Sequence, residues 1–363
     1  MNNVLNIQDK SPNSEITQSI DKGVNYLYQH QLPNGEYIAY ASGDPGMLAW
    51  TFPDSTLFST AIICHNLKYI SSKQSEKIQH KAMMFLGGEK SKNGLWNHFT
   101  KLHIYNKICP NDIDDTCCIS SLYKDKGINF PYPSNIPLIM TNINKKGLFY
   151  SWFLFRMKSI CNKQILKIGL ERLPNIVRNT FFWIKTEACR KDIDAVVNAN
   201  ALYYLGESNQ TLPIIDLIIN VITQEKEGNC DLWYREPFVV YYFFSRNYYK
   251  GIMKLEPIVE PIIKRVLSKV KPDGRIGDTI LDTAWAICTL LNFNCKCDEL
   301  KNAVNFLIQN QSKNGCWPRW IAYWGGPKKL QGWGSEELTT GFCLEAIARY
   351  KDFIVNKNHN GSY

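Results

Sequence analysis

The sequence lacks the features that mark membrane-spanning and exported proteins. No run of eighteen or more apolar residues occurs among its 363 residues, so no transmembrane helix is predicted. The first fifteen residues have no basic start followed by an apolar core, which predicts no signal peptide. The twelve cysteines have no repeated spacing, which favours free thiols in a reducing compartment and predicts a cytoplasmic location.

Metal and nucleic-acid signals are also scarce. Cys295 and Cys297 form a close pair, but no second Cys or His pair follows at ligand spacing, so no metal site is predicted there. The net charge of +9 is spread along the chain rather than concentrated in one basic helix. Nucleic-acid binding is therefore not predicted, whereas attraction to an anionic substrate or to a membrane surface stays open.

Runs that alternate between apolar and polar residues are missing, and two kinds of helical pattern alternate six times instead. One kind has a polar face and covers residues 16–31, 74–87, 166–187, 213–225, 256–270 and 298–310. The other is apolar nearly all round and covers residues 54–69, 112–123, 192–205, 236–249, 282–293 and 336–349. A helix that is apolar on every side must be buried on every side. The pattern predicts an all-α protein, an (α/α)6 barrel of six inner and six outer helices.

The barrel is predicted to form a single domain over residues 16–351. An N-terminal extension (1–15) precedes it and a C-terminal tail (352–363) follows it. The long, aromatic-rich insert 127–165 is predicted to act as a lid over the barrel. A lid of this kind, a homodimer or a partner domain would close the mouth.

Short turns repeat along the chain with a common pattern. Residues 31–37 and 311–317 both read Gln, three residues, Gly, one residue, aromatic, and residues 90–96 keep the Gly and the Trp. Glycine takes the left-handed conformation that ends a helix, and the aromatic side chain is expected to fold back onto the barrel. These turns indicate a structural repeat rather than a reaction.

Three carboxylates crowd the start of the second inner helix, in the segment DIDDT at 112–116. Asp112 is expected to cap the helix, which places Asp114 and Asp115 in its first turn. Since all six inner helices should begin at the same end, this cluster would lie at the barrel mouth. Two neighbouring acids cannot both ionise cheaply, so one is expected to retain a proton and act as a general acid. Spacing alone leaves two alternatives open, namely caps exposed to solvent and a divalent metal site.

DIDDT resembles the DxDD(T) motif of class II terpene cyclases of the squalene–hopene cyclase type. The surrounding segment 94–116, the Gln–Gly–aromatic turns and the C-terminal run 315–347 are also similar to that family. The resemblance implies that Asp114 protonates a terminal alkene or epoxide of a linear isoprenoid, with Asp112 and Asp115 holding and tuning it. It implies a small-molecule isoprenoid partner and no cofactor. The positive net charge leaves peripheral contact with a membrane surface open. Mg²⁺ is left open for a diphosphate substrate.

A carbocation needs a dry cavity with aromatic walls, which exclude water and stabilise the charge through the ring faces. The residues expected to line it are Trp96, His98, Phe149, Trp152, Asp194, Asn198, Asn200, Tyr241, Trp285, Trp320 and Trp333. The residues expected to contact the acid are His98, Asn97, Asn198 and Asn200. A diphosphate would draw on Arg235, Arg246, Lys328 and Lys329.

Several alternatives stay open at this stage. Family members usually carry a second α-barrel, which this chain does not provide. A glycosidase could use Asp114 and Asp194 as its two carboxylates, and a binding barrel without chemistry would use the acids only as caps. A prenyltransferase subunit is disfavoured because its zinc ligands should include a late histidine, whereas the last histidine before the tail is His103.

Overall fold

The computed structural model describes residues 12–154 and 176–360. Its helices are α1 (Pro12–His30), α2 (Leu57–Leu67), α3 (Lys73–Glu89), α4 (Ile113–Asp125), α5 (Ile136–Ile139), α6 (Ile176–Lys185), α7 (Ala195–Leu205), α8 (Leu212–Thr223), α9 (Pro237–Tyr249), α10 (Val259–Leu267), α11 (Ile280–Asn292), α12 (Asp298–Gln309) and α13 (Glu336–Asn360). Short 3₁₀ helices span Glu227–Asn229 and Met253–Ile258, and the strands are β1 (Ala39–Ser42), β2 (Phe52–Asp54), β3 (Tyr323–Trp324) and β4 (Gly332–Gly334).

Six of these helices form a closed inner ring, as the sequence predicts. The order around the ring is α2, α4, α7, α9, α11 and α13, and α13 packs back against α2. Every residue of α2 is buried, and so is every residue of α11 after its first. Helices without a polar face thus gain cover on all sides, and the (α/α)6 toroid is confirmed.

The outer layer consists mainly of α1, α3, α8, α10 and α12, each of which packs on neighbouring inner or outer helices. Between α4 and α7 this position is filled by the short helix α5. Asn135, just before α5, bridges the two inner helices: its side-chain amide donates to Ser120 Oγ (3.0 Å) and its oxygen accepts from the Tyr204 hydroxyl (2.9 Å). The predicted outer helix 166–187 does not belong to the outer layer in its described part. That part, α6, lies at the mouth, where Phe182 packs on Trp152. Residues 166–175 lie outside the described chain.

The predicted lid-like insert, 127–165, is described up to residue 154. Leu138 and Ile139 in this part are buried in the main core. Residues 149–153 run beside the start of α4, where Asp112 forms a bridge with Trp152. The described part of the insert therefore contributes to the barrel core as well as to the mouth of the barrel.

The repeated turns at 31–37 and 311–317 each fasten one outer helix to the next one. The side-chain amide of Gln31 donates to Gly35 O within its own turn and to Ile78 O on α3, both at 3.0 Å. The indole of Trp96 and that of Trp317 each donate to a carbonyl of the preceding outer helix. The glycine and aromatic positions therefore have structural roles.

The last of these turns closes the ring. Gln311 Nε2 donates to Ser19 O (3.0 Å), which ties the turn after α12 to α1. Gly315 in this turn has φ +98°, and a Cβ placed on it would lie 2.3 Å from Lys22 O. Only glycine fits this close approach of two backbones.

A small antiparallel sheet, which the sequence did not predict, sits at the mouth. Its strand order is β2-β1-β4-β3, so residues 39–54 pair with residues 323–334. The strands have two to four residues each, which is too short for an alternating pattern to be recognised. No helix in the described parts of the chain is long and apolar enough to cross a bilayer.

Replacing Gly315 by alanine should destabilise the protein by about 2 kcal/mol or more, since the new side chain meets backbone and the backbone is left-handed. Gly88 provides the control. It lies in α3, and a Cβ added to it would meet no atom within 4 Å, so Gly88→Ala should stabilise by about 0.5–1 kcal/mol. Urea unfolding of both variants measures the difference. Equal stability of G315A and wild type would contradict the proposed closing contact.

Candidate active site

The acidic cluster begins with the predicted helix cap. Asp112 has extended backbone angles (φ −128°, ψ 162°), and its Oδ1 accepts the backbone N–H of Asp115 at 2.8 Å. This bond fixes the first turn of α4 and the direction of the carboxylates that follow.

Asp114 is held by two other segments of the inner ring. Its Oδ1 accepts from Asn200 Nδ2 at 2.7 Å, and its Oδ2 accepts from the Tyr234 hydroxyl at 2.5 Å. Asn200 lies on α7, and Tyr234 lies in the turn before α9. Cys118 Sγ also donates weakly to Oδ1 at 4.0 Å. Because each carboxyl oxygen has two lone pairs, Oδ2 keeps a position for a proton beside the Tyr234 bond.

Asp115 faces His98, whose Nδ1 lies 3.3 Å from its Oδ2. The His98 ring makes edge contacts with Phe99, Tyr323 and Trp333. Burial lowers the pKa of His98, although the surrounding carboxylates act in the opposite direction. A neutral ring can still donate its Nδ1–H to the carboxylate, so His98 orients Asp115 without adding a full charge.

Burial raises the pKa of all three acids. For Asp112 and Asp115 it lies well above the ordinary value, first through desolvation and then through the neighbouring carboxylates. One oxygen of each, Asp112 Oδ2 and Asp115 Oδ1, is buried without a hydrogen-bond partner among the described residues. Desolvation also raises the pKa of Asp114, but the bonds from Tyr234 and Asn200 oppose it. The cluster therefore retains protons, and the anion of Asp114 is the best stabilised of the three.

The acids open onto an aromatic cavity of about 490 Å³, within the range of roughly 300–1,000 Å³ that is typical of small-molecule sites. The lining residues are Phe58, His98, Phe99, Tyr105, Ile108, Cys109, Asp112, Asp114, Asp115, Ser151, Trp152, Phe181, Phe182, Lys185, Thr186, Val197, Trp233, Tyr234, Tyr323, Gly325, Gln331 and Trp333. Phe, Tyr and Trp make up ten of these 22 lining residues, so the wall is largely aromatic, with polar side chains between the rings.

The structure brings part of the predicted set to this cavity. The predicted residues that line it are Asp112, Asp114, Asp115, His98, Trp152 and Trp333, and Asn200 reaches it through its bond to Asp114. The other predicted lining residues do not line it; these are Trp96, Phe149, Asp194, Asn198, Tyr241, Trp285 and Trp320. The aromatic ones fill space between helices or, for Trp320, pack half-buried near Gly46.

The predicted polar pair on α7 holds loops instead of facing the cavity. Asp194 accepts from Ser151 Oγ (2.5 Å) and from the backbone N–H of Leu232 (2.8 Å), and burial raises its pKa to about 6. The Asn198 amide pairs with both backbone groups of Phe149. Asn97, another predicted neighbour of the acid, donates to backbone carbonyls at 109 and 110.

Sequence reasoning missed Tyr234, the hydroxyl that contacts the central acid. It stands three residues ahead of α9, in a turn without a recognisable motif. The signal available was its position: Asp112 likewise stands just ahead of an inner helix, where side chains converge on the mouth. The same reasoning would have found Trp233, which also lines the cavity.

The cations considered for a diphosphate are mostly engaged elsewhere. Arg235 donates to Asp231 O (2.7 Å), and Lys329 donates to Glu236 (2.6 Å). Arg246 is buried below the mouth, with its guanidinium 4.3 Å from the Tyr203 ring. Lys185 is the basic residue that lines the cavity. Within residues 12–154 and 176–360, no group of three or more His, Cys, Asp or Glu side chains could hold a metal ion.

The fold of this chain is shared with a type II terpene cyclase of known structure. No family model matches the chain, and no curated protein matches it. A variant of the type II terpene cyclase MstE from Scytonema, in complex with geranylgeranyl dihydroxybenzoate as substrate, is similar over 94% of this chain and 99% of that chain. The TM-score is 0.67 and the sequence identity is 15%.

Two further structures give the same result. An MstE complex with the product merosterolic acid A is similar over 94% of this chain and 98% of that one, with a TM-score of 0.66 and 15% identity. A protein from Actinoplanes is similar over 92% and 99%, with a TM-score of 0.66 and 16% identity. The helical toroid is therefore common to all of them.

The raised pKa of Asp115 predicts a pH-dependent stability difference. Its folded pKa lies above the unfolded value of about 4, so the unfolded chain releases this proton first and stability falls as pH rises through this range. The Asp115→Asn side chain does not titrate, so this variant avoids the loss of stability at higher pH. Its side-chain oxygen can still accept a hydrogen bond from His98. At pH 7 it should be at least about 1 kcal/mol more stable than wild type, with the gap closing toward pH 4.

Calorimetric unfolding between pH 4 and 8 measures this difference. Asp278→Asn is the control, because Lys271 lowers the pKa of the exposed Asp278, and its removal should slightly lower stability above pH 4. A constant gap between D115N and wild type across this range would contradict the assignment.

Proposed function

We propose that this protein is a class II-type terpene cyclase in which Asp114 is the general acid. The observation that carries the proposal is the position of Asp114. It opens onto an aromatic cavity while its two oxygens accept hydrogen bonds from Tyr234 and Asn200. Donors of this kind stabilise the carboxylate that remains after proton transfer, so they act more strongly in the transition state than in the ground state.

The reaction begins with transfer of the Asp114 proton to a terminal alkene carbon, or to an epoxide oxygen, of a linear isoprenoid. The acid's O–H bond breaks. In an alkene the π electrons form the new C–H bond, and in an epoxide the oxygen takes the proton and its C–O bond breaks, so that positive charge is left on the adjacent carbon in both cases. Internal double bonds attack this carbon in turn and close rings. Loss of a proton from the last cation, or capture of a nucleophile, ends the sequence. No redox change occurs, so no redox cofactor is needed.

The cavity wall suits a carbocation. Rings from several elements, including Phe58, Trp152, Tyr323 and Trp333, line the space next to the acids. Their faces attract positive charge, and their bulk excludes the water that would quench it. The polar groups of the wall include Lys185 and Gln331, which suit a polar substrate head group. Mg²⁺ would be required only for a diphosphate.

The extent of the structural match bears on the second barrel that class II cyclases usually carry. The MstE chain that binds geranylgeranyl dihydroxybenzoate is matched over 99% of its length. A chain of one barrel therefore suffices for an isoprenoid substrate in that protein. We infer that loops and α6 close the mouth here. The cysteines of the described chain are free thiols, which fits a cytoplasmic site of action.

The competing functions fit the geometry less well. A glycosidase that used Asp194 as its second carboxylate is disfavoured, because Asp194 does not line the cavity and accepts hydrogen bonds from Ser151 Oγ and the Leu232 backbone N–H. A barrel that uses its acids only as caps would need no open space behind them, whereas a cavity of about 490 Å³ adjoins Asp114.

Replacing Asp114 by asparagine should lower cyclisation by about 10³-fold or more, since the side chain can no longer supply a proton. Linear C15 to C30 isoprenoids, their diphosphates and prenylated aromatic acids are incubated with each protein, and cyclic isomers are measured by mass spectrometry. Asp125→Asn, at the other end of the same helix, is the matched control and should remain active. Equal product from D114N and wild type would overturn the proposal.

Replacing Tyr234 by phenylalanine should slow cyclisation by about 10- to 100-fold, because a charge-assisted hydrogen bond is worth about 1.5–3 kcal/mol. Without this donor the pKa of Asp114 rises, so the alkaline limb of the rate profile should move to higher pH while the maximum falls. Tyr241→Phe removes a buried hydroxyl that donates to Glu227 instead and should leave the profile in place. An unchanged profile in Y234F would show that Tyr234 does not tune the acid.

A further inference from the structure

Arg246 is a buried cation that no step of the proposed mechanism uses. It lies in the last turn of α9 and is 6% exposed. Its guanidinium carbon lies 4.3 Å from the centre of the Tyr203 ring, 5.4 Å from that of Phe243 and 5.5 Å from that of Tyr242. Its Nη1 is buried without a hydrogen-bond partner among the described residues. The contacts that hold this charge are therefore largely ring faces.

The carboxylate that attracts Arg246 is already engaged by other residues. It belongs to Glu345 on α13. Its Oε1 accepts from Arg349 Nη1 at 3.1 Å, and its Oε2 accepts from the Tyr242 hydroxyl at 2.8 Å. Burying a guanidinium without an ion-pair partner of its own is unfavourable, and the partial negative charge at the C-terminal ends of the inner helices offsets this only in part. Residues that lower stability in this way are commonly kept for function.

The guanidinium of Arg246 lies about one helical turn from the candidate acid. Asn200 donates to Asp114, and the ring of Tyr203 contacts Arg246. These two residues are three positions apart on α7, so they share a helix face and are separated by roughly 4.5 Å along the axis. One face of α7 therefore carries both contacts, with the acid nearer the mouth and the cation below it.

A second element, α9, connects the same two groups. The ring of Phe243 packs against the ring of Tyr234, with 5.1 Å between their centroids, and Tyr234 donates to Asp114. Phe243 also contacts the guanidinium of Arg246. Arg246 is not one of the residues that line the cavity. Its charge therefore acts on Asp114 from below the cavity.

The charge of Arg246 favours the anion of Asp114. Burial raises the pKa of Asp114, and the positive charge of Arg246 is among the effects that lower it. The other acids near Asp114 are Asp112, Asp115 and Asp194. The neutral titratable groups near it are His98, Cys117, Cys118, Tyr234 and Tyr323.

The titratable groups around Arg246 itself do not cancel its charge. They are His65, Lys68, Cys118, Tyr203, Tyr242 and Glu345. Lys68 is the other cation of this set, and it is paired with Asp125 at 3.5 Å. Burial lowers the pKa of His65, so that ring stays neutral near pH 7. The acid therefore has a permanent positive charge beneath it.

We propose that Arg246 is a positioning residue for the candidate acid. Its positive charge stabilises the carboxylate that Asp114 becomes after proton transfer, and it repels the new carbocation toward the mouth. Arg246 does not touch the substrate and acts through Asp114. The catalytic part of this role rests on the proposed cyclase function, whereas the effect on Asp114 can be measured without a substrate.

Removing the charge should weaken the acid. In Arg246→Met and Arg246→Gln the pKa of Asp114 should rise by about 1 to 1.5, since a unit charge roughly 8 Å away has an effect of this size in protein surroundings. The cyclisation rate should fall about tenfold, and the alkaline limb of its pH profile should move upward by the same amount. A ¹³C NMR titration of the aspartate carboxyl carbons in the full-length protein measures the pKa, and D114N identifies the signal of Asp114.

Two variants control for structural effects. Arg246→Lys keeps the charge, so the pKa of Asp114 and the pH profile should stay near those of wild type. Arg349→Met removes a second buried arginine, which contacts Tyr69 and Tyr249 and is paired with Glu345. It should lower the melting temperature, because Glu345 loses its ion-pair partner, and leave the pH profile in place.

The neutral variants of Arg246 should show the opposite pattern. R246M should melt close to wild type, because methionine keeps the contacts with the rings and buries no charge, yet its pH profile should move. A purely structural arginine would instead lower the melting temperature of R246M and leave the titration of Asp114 unchanged.

The titration and the substrate assay fail independently. If wild type forms no cyclic product while the pKa of Asp114 rises in both neutral variants, the cyclase function is overturned and the coupling between Arg246 and Asp114 stands. If wild type cyclises but R246M and R246Q leave the pKa and the profile unchanged, the role of Arg246 is overturned and the cyclase function stands. A profile that moves as far in R349M as in R246M would also overturn the role of Arg246.

Discussion

The architecture depends on one constraint, which is that its inner helices have no side that tolerates water. Six such helices cover one another when they stand in a ring with outer elements around them. A ring of parallel inner helices gathers their N-termini at one end. The same constraint that builds the core therefore builds a mouth, where caps, connecting loops and first-turn side chains converge. The candidate site therefore results from the closure of the helical ring.

At that mouth, burial and hydrogen bonding have opposite effects on the pKa values of three neighbouring acids. Desolvation favours the protonated form of each, while donors from two other inner-helix segments favour the anion of Asp114 alone. Burial thus raises the pKa of Asp114, and the two donors stabilise the anion that would remain after it gives up a proton. Asp112 and Asp115 serve this arrangement differently: the first fixes the helix start, and the second links the cluster to His98.

The sequence predicts the ring better than it predicts the walls of the cavity. The inner helices follow from segments that are apolar all round, and the cap at Asp112 follows from the preference of helix starts for aspartate. A uniformly apolar helix carries no pattern that shows which face meets the axis. Tyr241 and Trp285 were therefore expected in the cavity but pack between helices. The mouth sheet and Tyr234 depend on contacts between distant, short segments, which local patterns do not encode.

The contact between α13 and α2 joins the last described helix to one of the first. Until residues 336–360 have been synthesised, α2 lacks the neighbour that covers one of its flanks. A growing chain therefore keeps one flank of this otherwise buried helix uncovered until then, where it can aggregate or bind chaperones. Cooperative folding is then delayed until α13 has been made, because α2 and α13 cover each other's flanks in the closed ring.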